Sequence, residues 1–264
     1  MSTQATSTQA TPRIAPQPSA PVPAGAQAVR RALDMLQGFH DNGPDPTASD
    51  LARRLGLSTS TAHRLARTLL AGGFLEQDPR TARYRLGPTV TELGRLSYHQ
   101  RGLQLAGPEL RDLADRTGTG TALALRGGGH AVIVAGGTVT PKVGLRRPLR
   151  STALGTVLLA WPAAGAPDEV PGHGGPPDPE DHTSALVRAR GHALADDEPS
   201  FGARTLAVPV LDRSGHARFA LGLRAAPSVL SDSRLDWFLA QARACARALE
   251  VLLLPPGERR APEA

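Results

Sequence analysis

The chain has 264 residues, of which 40% are hydrophobic and 20% charged, so it is long enough for two domains with buried cores. Its net charge at pH 7 is +6. The excess lies mainly in residues 30–101, which hold 11 arginines and 7 acidic residues, whereas residues 102–264 hold 18 basic and 17 acidic residues. The single cysteine excludes an internal disulfide and a cysteine-based metal cluster. No apolar run approaches the ~20 residues of a membrane helix and no signal-peptide pattern is present, so we expect a cytoplasmic protein without a membrane partner.

The two ends of the chain are expected to be disordered. Residues 1–26 consist mostly of Ser, Thr, Gln, Ala and Pro without hydrophobic periodicity. Such a segment cannot offset its ordering entropy by burying apolar surface. The same expectation applies to the C-terminal residues 255–264.

Two short helices are predicted after the N-terminal tail. The first has apolar residues at the spacing of one helical face, which we expect to be buried. These residues are Val29, Leu33, Leu36 and Phe39. Residues 47–50 have the sequence Thr-Ala-Ser-Asp, which resembles a capping box and predicts the start of a second helix with Leu51, Ala52 and Leu55 facing inward.

A third helix is predicted up to about residue 71, after a tight turn. Gly56 can supply the positive φ of that turn, and Ser58 is a suitable N-cap. The buried stripe of the helix is expected to be Ala62, Leu65, Ala66 and Leu69. Residues 74–76 and 84–86 indicate two short strands around a turn, and such a strand pair forms a wing. Residues 27–88 therefore predict a winged helix-turn-helix domain.

The next residues, 89–101, predict a helix that links two domains. Its apolar positions Val90, Leu93 and Leu96 have no obvious partner within a domain. We therefore expect this helix to be a dimer contact.

Residues 102–254 predict a second domain with an α+β fold, because helices surround two hairpins. The first hairpin contains residues 121–125 and 131–135, with a turn in the three glycines at 127–129. The second contains residues 204–211 and 217–224. The predicted helices are residues 105–116, 152–161, 184–190 and 235–254.

The exposed side of the third helix is the candidate DNA-reading surface. In a helix-turn-helix, the second helix of the motif packs one face on the first and places the other in the major groove. Ser60 and Arg64 are candidates for direct base contact, because hydroxyls bond base edges and an arginine can contact guanine at two atoms. The wing arginines would lie beside the phosphate backbone. The predicted DNA-binding residues are Thr59, Ser60, Thr61, His63, Arg64, Arg67, Arg80, Arg83 and Arg85.

Two rival functions compete with DNA binding. The winged helix could be a protein-interaction module without DNA or ligand binding, with the arginines as a solvated surface. An enzyme is not expected, because the eight histidines are scattered and no GxSxG, HExxH or phosphate-cradling motif is present. The sequence thus predicts no catalytic residue, no metal site and no cofactor, and Cys245 is expected to be a core residue.

Long stretches of the sequence resemble the IclR-type transcriptional regulators. The first, DLARRLGLSTSTAHRLARTLLAGGFLEQDPRTARYRLGP, occupies residues 50–88. The others are RSTALGTVLLA at 150–160 and RGHALADDEPSFGARTLAVPVLDRSGHARFALGL at 190–223, and the resemblance spans about residues 27–254. It implies a cytosolic regulator, often a repressor, that is a homodimer or a dimer of dimers. It also implies a GAF-like effector-binding domain for a small, often acidic metabolite. A two-fold protein would read a palindromic operator.

The resemblance and the chemistry of the residues together predict an effector site. Free N–H groups at the start of the helix near Ser151 attract anions, and Arg150 and Arg224 could add positive charge. The alternative is that these arginines are surface charges or pair with Asp196 and Asp197. The predicted effector-binding residues are Ala153, Leu154, Gly155, Asp196, Thr205, Gly222 and Arg224, and the alignment leaves open whether Asp196 or Asp197 takes part.

Overall fold

The computed structural model describes residues 24–39, 45–137, 143–162, 182–196 and 202–261. Contacts divide the chain into one compact unit that ends at Pro88 and a second that begins at Thr89. The predicted N-terminal tail lies outside the described residues up to position 23. Its last three residues, 24–26, are helical, so the tail ends earlier than expected.

The first unit contains three helices and a two-stranded antiparallel sheet among its described residues. Its helices are α1 (Ala24–Gln37), α2 (Ala48–Leu55) and α3 (Thr59–Ala71). The strands β1 (Leu75–Gln77) and β2 (Tyr84–Leu86) pair in register as the wing.

Capping interactions set the starts of α2 and α3. The predicted capping box is present: the Asp50 N–H donates to Thr47 Oγ1 at 3.2 Å, and the Thr47 N–H donates to the Asp50 carboxylate at 3.0 Å. These bonds, led by that from the Thr47 backbone, lower the pKa of Asp50. Gly56 ends α2 with φ 62°, as its role in a tight turn requires. Ser58 then caps α3.

The buried face of α1 differs from the predicted one. Met35 is fully buried, and Leu36 and Phe39 pack partly against the core of the first unit. Val29 and Leu33, however, are 61% and 53% exposed. The apolar residues of α1 therefore cover two neighbouring faces of the helix, and α2 and α3 cover only one of them.

The second unit combines a sheet with helices, and the α+β fold is confirmed. Its helices are α4 (Pro88–Gln100), α5 (Ala106–Thr117), α6 (Ala153–Ala160), α7 (His182–Arg190) and α8 (Leu235–Leu253). Its strands are β3 (Gly120–Gly127), β4 (His130–Gly136), β5 (Arg146–Pro148), β6 (Ala193–Asp196), β7 (Arg204–Leu211) and β8 (Ala217–Ala225). Short 3-10 turns occupy Leu103–Leu105, Asp232–Arg234 and Pro256–Glu258.

Within the described residues, the strands form one antiparallel sheet in the order β5-β4-β3-β8-β7-β6. Helices α5 and α8 cover one face, where leucines such as Leu123, Leu206 and Leu221 are fully buried. Helix α6 covers the other face over small residues such as Ala124 and Ala207. Small side chains on this face let α6 lie close to the strands.

The C-terminal segment is ordered up to position 261, contrary to the expectation for residues 255–264. Arg260 donates to the buried carboxylate of Glu250 at 2.7 and 3.1 Å. Glu258 is paired with Arg218. These polar contacts tie the segment to α8 and β8 and explain why it is ordered with little apolar burial. Residues 262–264 lie outside the described part.

Candidate nucleic-acid interface and ligand site

Helix α3 has the two-faced character that a recognition helix needs. Its predicted stripe is buried, with Ala62 and Ala66 fully inaccessible. His63, Arg64 and Arg67 lie on the opposite side and are exposed. The arginine side chains can therefore extend into a groove while the buried stripe holds the helix on the rest of the unit.

The hydroxyls at the start of α3 divide into two groups. Thr59 and Ser60 are exposed. Thr61 is half-buried, and its hydroxyl lies 2.8 Å from that of Ser58, which also accepts the Thr61 N–H at 3.3 Å. Thr61 thus helps to build the cap of α3. Thr59 and Ser60 are better placed to reach a ligand, although the hydroxyl of Ser60 lies 3.1 Å from that of Ser58.

The wing arginines have different surroundings. Arg85 pairs with Glu76 across the two strands at 2.6 Å, and Arg83 donates to the carbonyl of Asp45 at 2.5 Å. Arg80 is exposed in the turn. Its N–H and that of Thr81 donate to the Asp78 carboxylate, and these two bonds lower the pKa of Asp78. Arg80 thus lies in the turn of the wing, and its backbone helps to hold that turn.

The start of α6 is capped by Thr152, whose Oγ1 accepts the N–H of Gly155 at 3.2 Å and donates to Pro148 at 2.8 Å. Gly155 has a steric role. A Cβ at this position would lie 2.2 Å from the carbonyl oxygen of Leu149, so the helix fits against that backbone only without a side chain. Gly155 therefore positions α6, and its N–H is already bonded to the cap.

Five of the predicted effector-binding residues lie where α6 faces the sheet. Two are on α6 and three are on β7 and β8. Thr205 is directly opposite Arg224, and Ala207 is opposite Gly222. Because side chains alternate between faces, Thr205, Gly222 and Arg224 share one face. Leu154 of α6 lies over Gly222, and a Cβ added to Gly222 would be 3.0 Å from the Cδ2 of Leu154. Thr205 is buried and Arg224 is half-buried, and the buried Ala153 and Leu154 belong to the same side.

Asp196 does not belong to this group, which corrects the prediction. Ala193 and Ala195 of β6 face α6, so alternation turns Asp196 to the opposite face. There Arg204 donates to Asp196 at 2.7 Å and to Asp232, before α8, at 2.6 Å. The hydrogen bond from Arg204 lowers the pKa of Asp196. Asp197, the other carboxylate considered, lies outside the described residues.

The sequence pattern did not single out Arg204 as a partner of Asp196. Its partner Asp196 is directly opposite in the β6–β7 register, but a strand register is set by the intervening loop and the buried face. The available signal was that Asp196 ends one strand and Arg204 opens the next. It could not distinguish Arg204 from Arg150 or Arg224 as the partner.

The described residues contain no group of three or more His, Cys, Asp or Glu side chains that could hold a metal ion. Burial raises the pKa of the Cys245 thiol to about 12, which keeps it protonated in the core. In the described part of the chain, every helix is too short or too polar to cross a membrane.

Comparison with known proteins links the two units to one kind of protein. The IclR helix-turn-helix domain matches residues 28–79, and the C-terminal domain of bacterial IclR transcriptional regulators matches residues 180–251. The HTH-type transcriptional regulator XynR of Escherichia coli (strain K12) is 30% identical over 84% of this chain and 95% of its own length. The glycerol operon regulatory protein of Streptomyces coelicolor is 31% identical over 84% and 94%.

Solved structures show the same fold. An IclR transcriptional regulator from Alicyclobacillus acidocaldarius has a TM-score of 0.69 at 22% identity, covering 86% of this chain and 99% of its own. An IclR homologue from Microbacterium hydrocarbonoxydans, in complex with 4-hydroxybenzoate, has a TM-score of 0.65 at 24% identity, covering 86% and 98%. The likeness extends over both units of the chain.

Proposed function

Since the chain belongs to the IclR family of bacterial transcriptional regulators, we propose that it acts in the cytoplasm as a homodimeric repressor of a palindromic operator. Residues 27–88 are its DNA-binding domain, residues 89–101 its linker and dimerisation helix, and residues 102–254 its effector domain. The observation that supports DNA reading best is α3, whose exposed His63, Arg64 and Arg67 lie opposite a buried stripe. The protein-interaction alternative is not favoured, because the relatives are transcriptional regulators.

Arg64 is the residue we assign to base recognition. It lies in the middle of the exposed face of α3, one turn after the exposed Ser60. An arginine there can bond O6 and N7 of a guanine together. Ser60 and Thr59, at the start of the helix, would bond base edges or phosphate.

The test is the substitution Arg64→Ala in the full chain. We expect a loss of about 1–3 kcal/mol in binding to an operator selected from the source genome, with relaxed preference at one base pair. Arg111→Ala is the matched control, because Arg111 is an exposed arginine of α5. Thermal melting should show both variants folded. Operator affinity equal to that of the control would contradict the assignment.

The ligand of the second unit is proposed to be a small organic anion bound beside Arg224 and Thr205. These side chains are opposite each other on the sheet face that α6 covers, and a planar guanidinium suits a carboxylate. Leu154 lies over Gly222. The ligand would therefore sit at the Arg224 end of the face. The homologue from Microbacterium hydrocarbonoxydans, whose ligand is a carboxylate, supports this class of molecule.

A thermal-shift screen of metabolite acids tests this site. A hit should raise the melting temperature of the wild type and of Arg111→Ala, whose side chain is exposed on α5, but not that of Arg224→Ala. Added to the operator complex, the same acid should change DNA affinity about 5–150-fold, the usual range of coupling between sites. A hit that binds Arg224→Ala equally well would remove Arg224 from the site.

A further inference from the structure

A cleft of about 280 Å³ lies between α1 and the turn that joins α2 to α3. Arg30, Arg31 and Asp34 line it on the α1 side, and Gly56 and Leu57 on the other. The residues that line the cleft thus include two arginines and one aspartate, an excess of one positive charge. Arg30 is exposed and Arg31 half-buried, so both can meet a ligand that arrives from solvent.

The position of the cleft relative to α3 is what suggests its ligand. Leu57 immediately precedes Ser58, the N-cap of α3, and the cleft therefore adjoins the end of α3 that opens with Thr59 and Ser60. In helix-turn-helix proteins, the N-terminal residues of the recognition helix contact base edges. When that end of α3 lies in a major groove, the DNA strand that borders the groove passes beside the turn between α2 and α3.

We propose that Arg30 and Arg31 bind the DNA phosphates bordering the groove that α3 enters, an inference that rests on the DNA binding proposed above. A cationic cleft beside the reading end of the helix matches the charge of the backbone. The Asp34 carboxylate repels phosphate, so the phosphates lie at the arginine end of the cleft. These contacts carry no sequence information but fix the position of α3 over the bases.

Binding of the full chain to duplex DNA over a series of salt concentrations tests the proposal. Two duplexes are used, the selected operator and an unrelated sequence of the same length. The double substitution Arg30→Ala, Arg31→Ala should weaken binding to both by about tenfold. The slope of log K against log salt should fall by about 0.9 for each phosphate that the variant no longer neutralises.

Two variants serve as controls. The double substitution to lysine keeps both charges and should therefore keep the salt slope. If the guanidinium groups had a structural role instead, the lysine variant would lose stability. Arg111→Ala removes one charge from α5 and should leave the slope unchanged. Thermal melting of each variant separates unfolding from weaker phosphate binding. If the double alanine variant unfolds, the single substitution Arg30→Ala, at an exposed residue, should still lower the salt slope.

A salt slope of the alanine variant equal to that of Arg111→Ala would overturn the proposal. So would a weakening confined to the operator without a change in slope, since that outcome indicates an indirect effect on α3. A further outcome is that inorganic phosphate raises the melting temperature of the wild type while the substitutions leave the salt slope of DNA binding unchanged. That result would indicate an anion site unrelated to DNA and would also overturn the proposal. A wild-type chain that binds neither duplex would instead refute DNA binding itself, and this inference with it.

Discussion

Glu250 shows how one buried charge can hold a chain terminus. Its side chain is 7% exposed, and it accepts two bonds from Arg260 and a third from the backbone N–H of Leu211. Removing one member of a buried pair leaves the other without compensation, which costs more than the pair itself contributes. The C-terminal segment is thus needed to neutralise a carboxylate on α8.

Arg260→Ala should therefore destabilise the second unit. We expect a loss of about 1–2 kcal/mol in the free energy of unfolding, less than the about 3–5 kcal/mol of a fully buried pair, because water screens the partly exposed guanidinium. Urea denaturation gives the value. Arg213→Ala is the control, since Arg213 is exposed on the neighbouring hairpin and its removal changes the net charge equally. Equal stability of the two variants would show that Glu250 does not depend on Arg260.

Two helical glycines have opposite surroundings, and this decides what each contributes to its helix. Gly155 in α6 lies against the backbone of Leu149, where a Cβ has no room. Gly94 in α4 has nothing within 4 Å of the place where a Cβ would be. The first glycine allows a close approach between α6 and the preceding segment. The second only adds backbone freedom to the unfolded chain.

Alanine at these two positions should change stability in opposite directions. Gly155→Ala forces α6 away from Leu149 and should cost about 1–3 kcal/mol, as other overpacked sites do. Gly94→Ala should stabilise by about 0.4–1 kcal/mol. Melting temperatures of the two variants measured under one condition test both. Because Gly155 supports the α6 face, its substitution should also weaken binding of any acid found in the screen, whereas a stabilised Gly155→Ala would refute the close fit.

Helix α4, the proposed linker, exposes apolar side chains to solvent in the single chain. Leu93 and Leu96 of α4 are 49% and 51% exposed, and Val90 is half-buried. A second protomer is the partner we propose for this surface, because one recognition helix covers too few base pairs to select a genomic site. An interface between copies also offers a route by which ligand binding in one unit alters DNA binding in the other.

If α4 is the dimer contact that we propose, Leu93→Glu should leave the chain monomeric. A glutamate in the centre of an apolar interface would have to be buried without a partner, unless the two protomers separate. Burying the charge costs more free energy than separating the protomers. Light scattering measures the mass, and operator affinity should fall along with it. Leu186→Glu on α7 is the control, since Leu186 is similarly exposed at 48% but lies outside α4. A dimer that survives Leu93→Glu would place the interface elsewhere.

Much of the first unit could be predicted because its signals are local. The capping box of α2, the turn at Gly56 and the cap at Ser58 each involve residues within four positions of one another. The buried stripe of α3 follows from a period of 3.6 residues, and its prediction is confirmed residue by residue. The resemblance to IclR-type regulators added the effector-binding role of the second unit, which no local signal contains.

The candidate ligand site was predicted less completely. Thr205, Gly222 and Arg224 do share a face of the sheet, because alternation along paired strands follows from the sequence once the hairpin is recognised. The face of Asp196 depends on the register between β6 and β7 across a loop, and a shift of one residue reverses it. That is why the sequence predicted Asp196 in the same ligand site as Arg224, whereas the structure places it beside Arg204 on the opposite face.

The amino-acid sequence by itself determined the caps, the periods and the turns, since these depend on bonds and contacts between near neighbours in the chain. Only the tertiary structure decided which of two apolar faces of α1 is buried, which arginine neutralises Asp196, and that Arg260 meets Glu250. Each of these outcomes is a choice among competing partners that only the folded chain brings together. The choice is made by whichever packing buries the most apolar surface while leaving no buried charge without a partner.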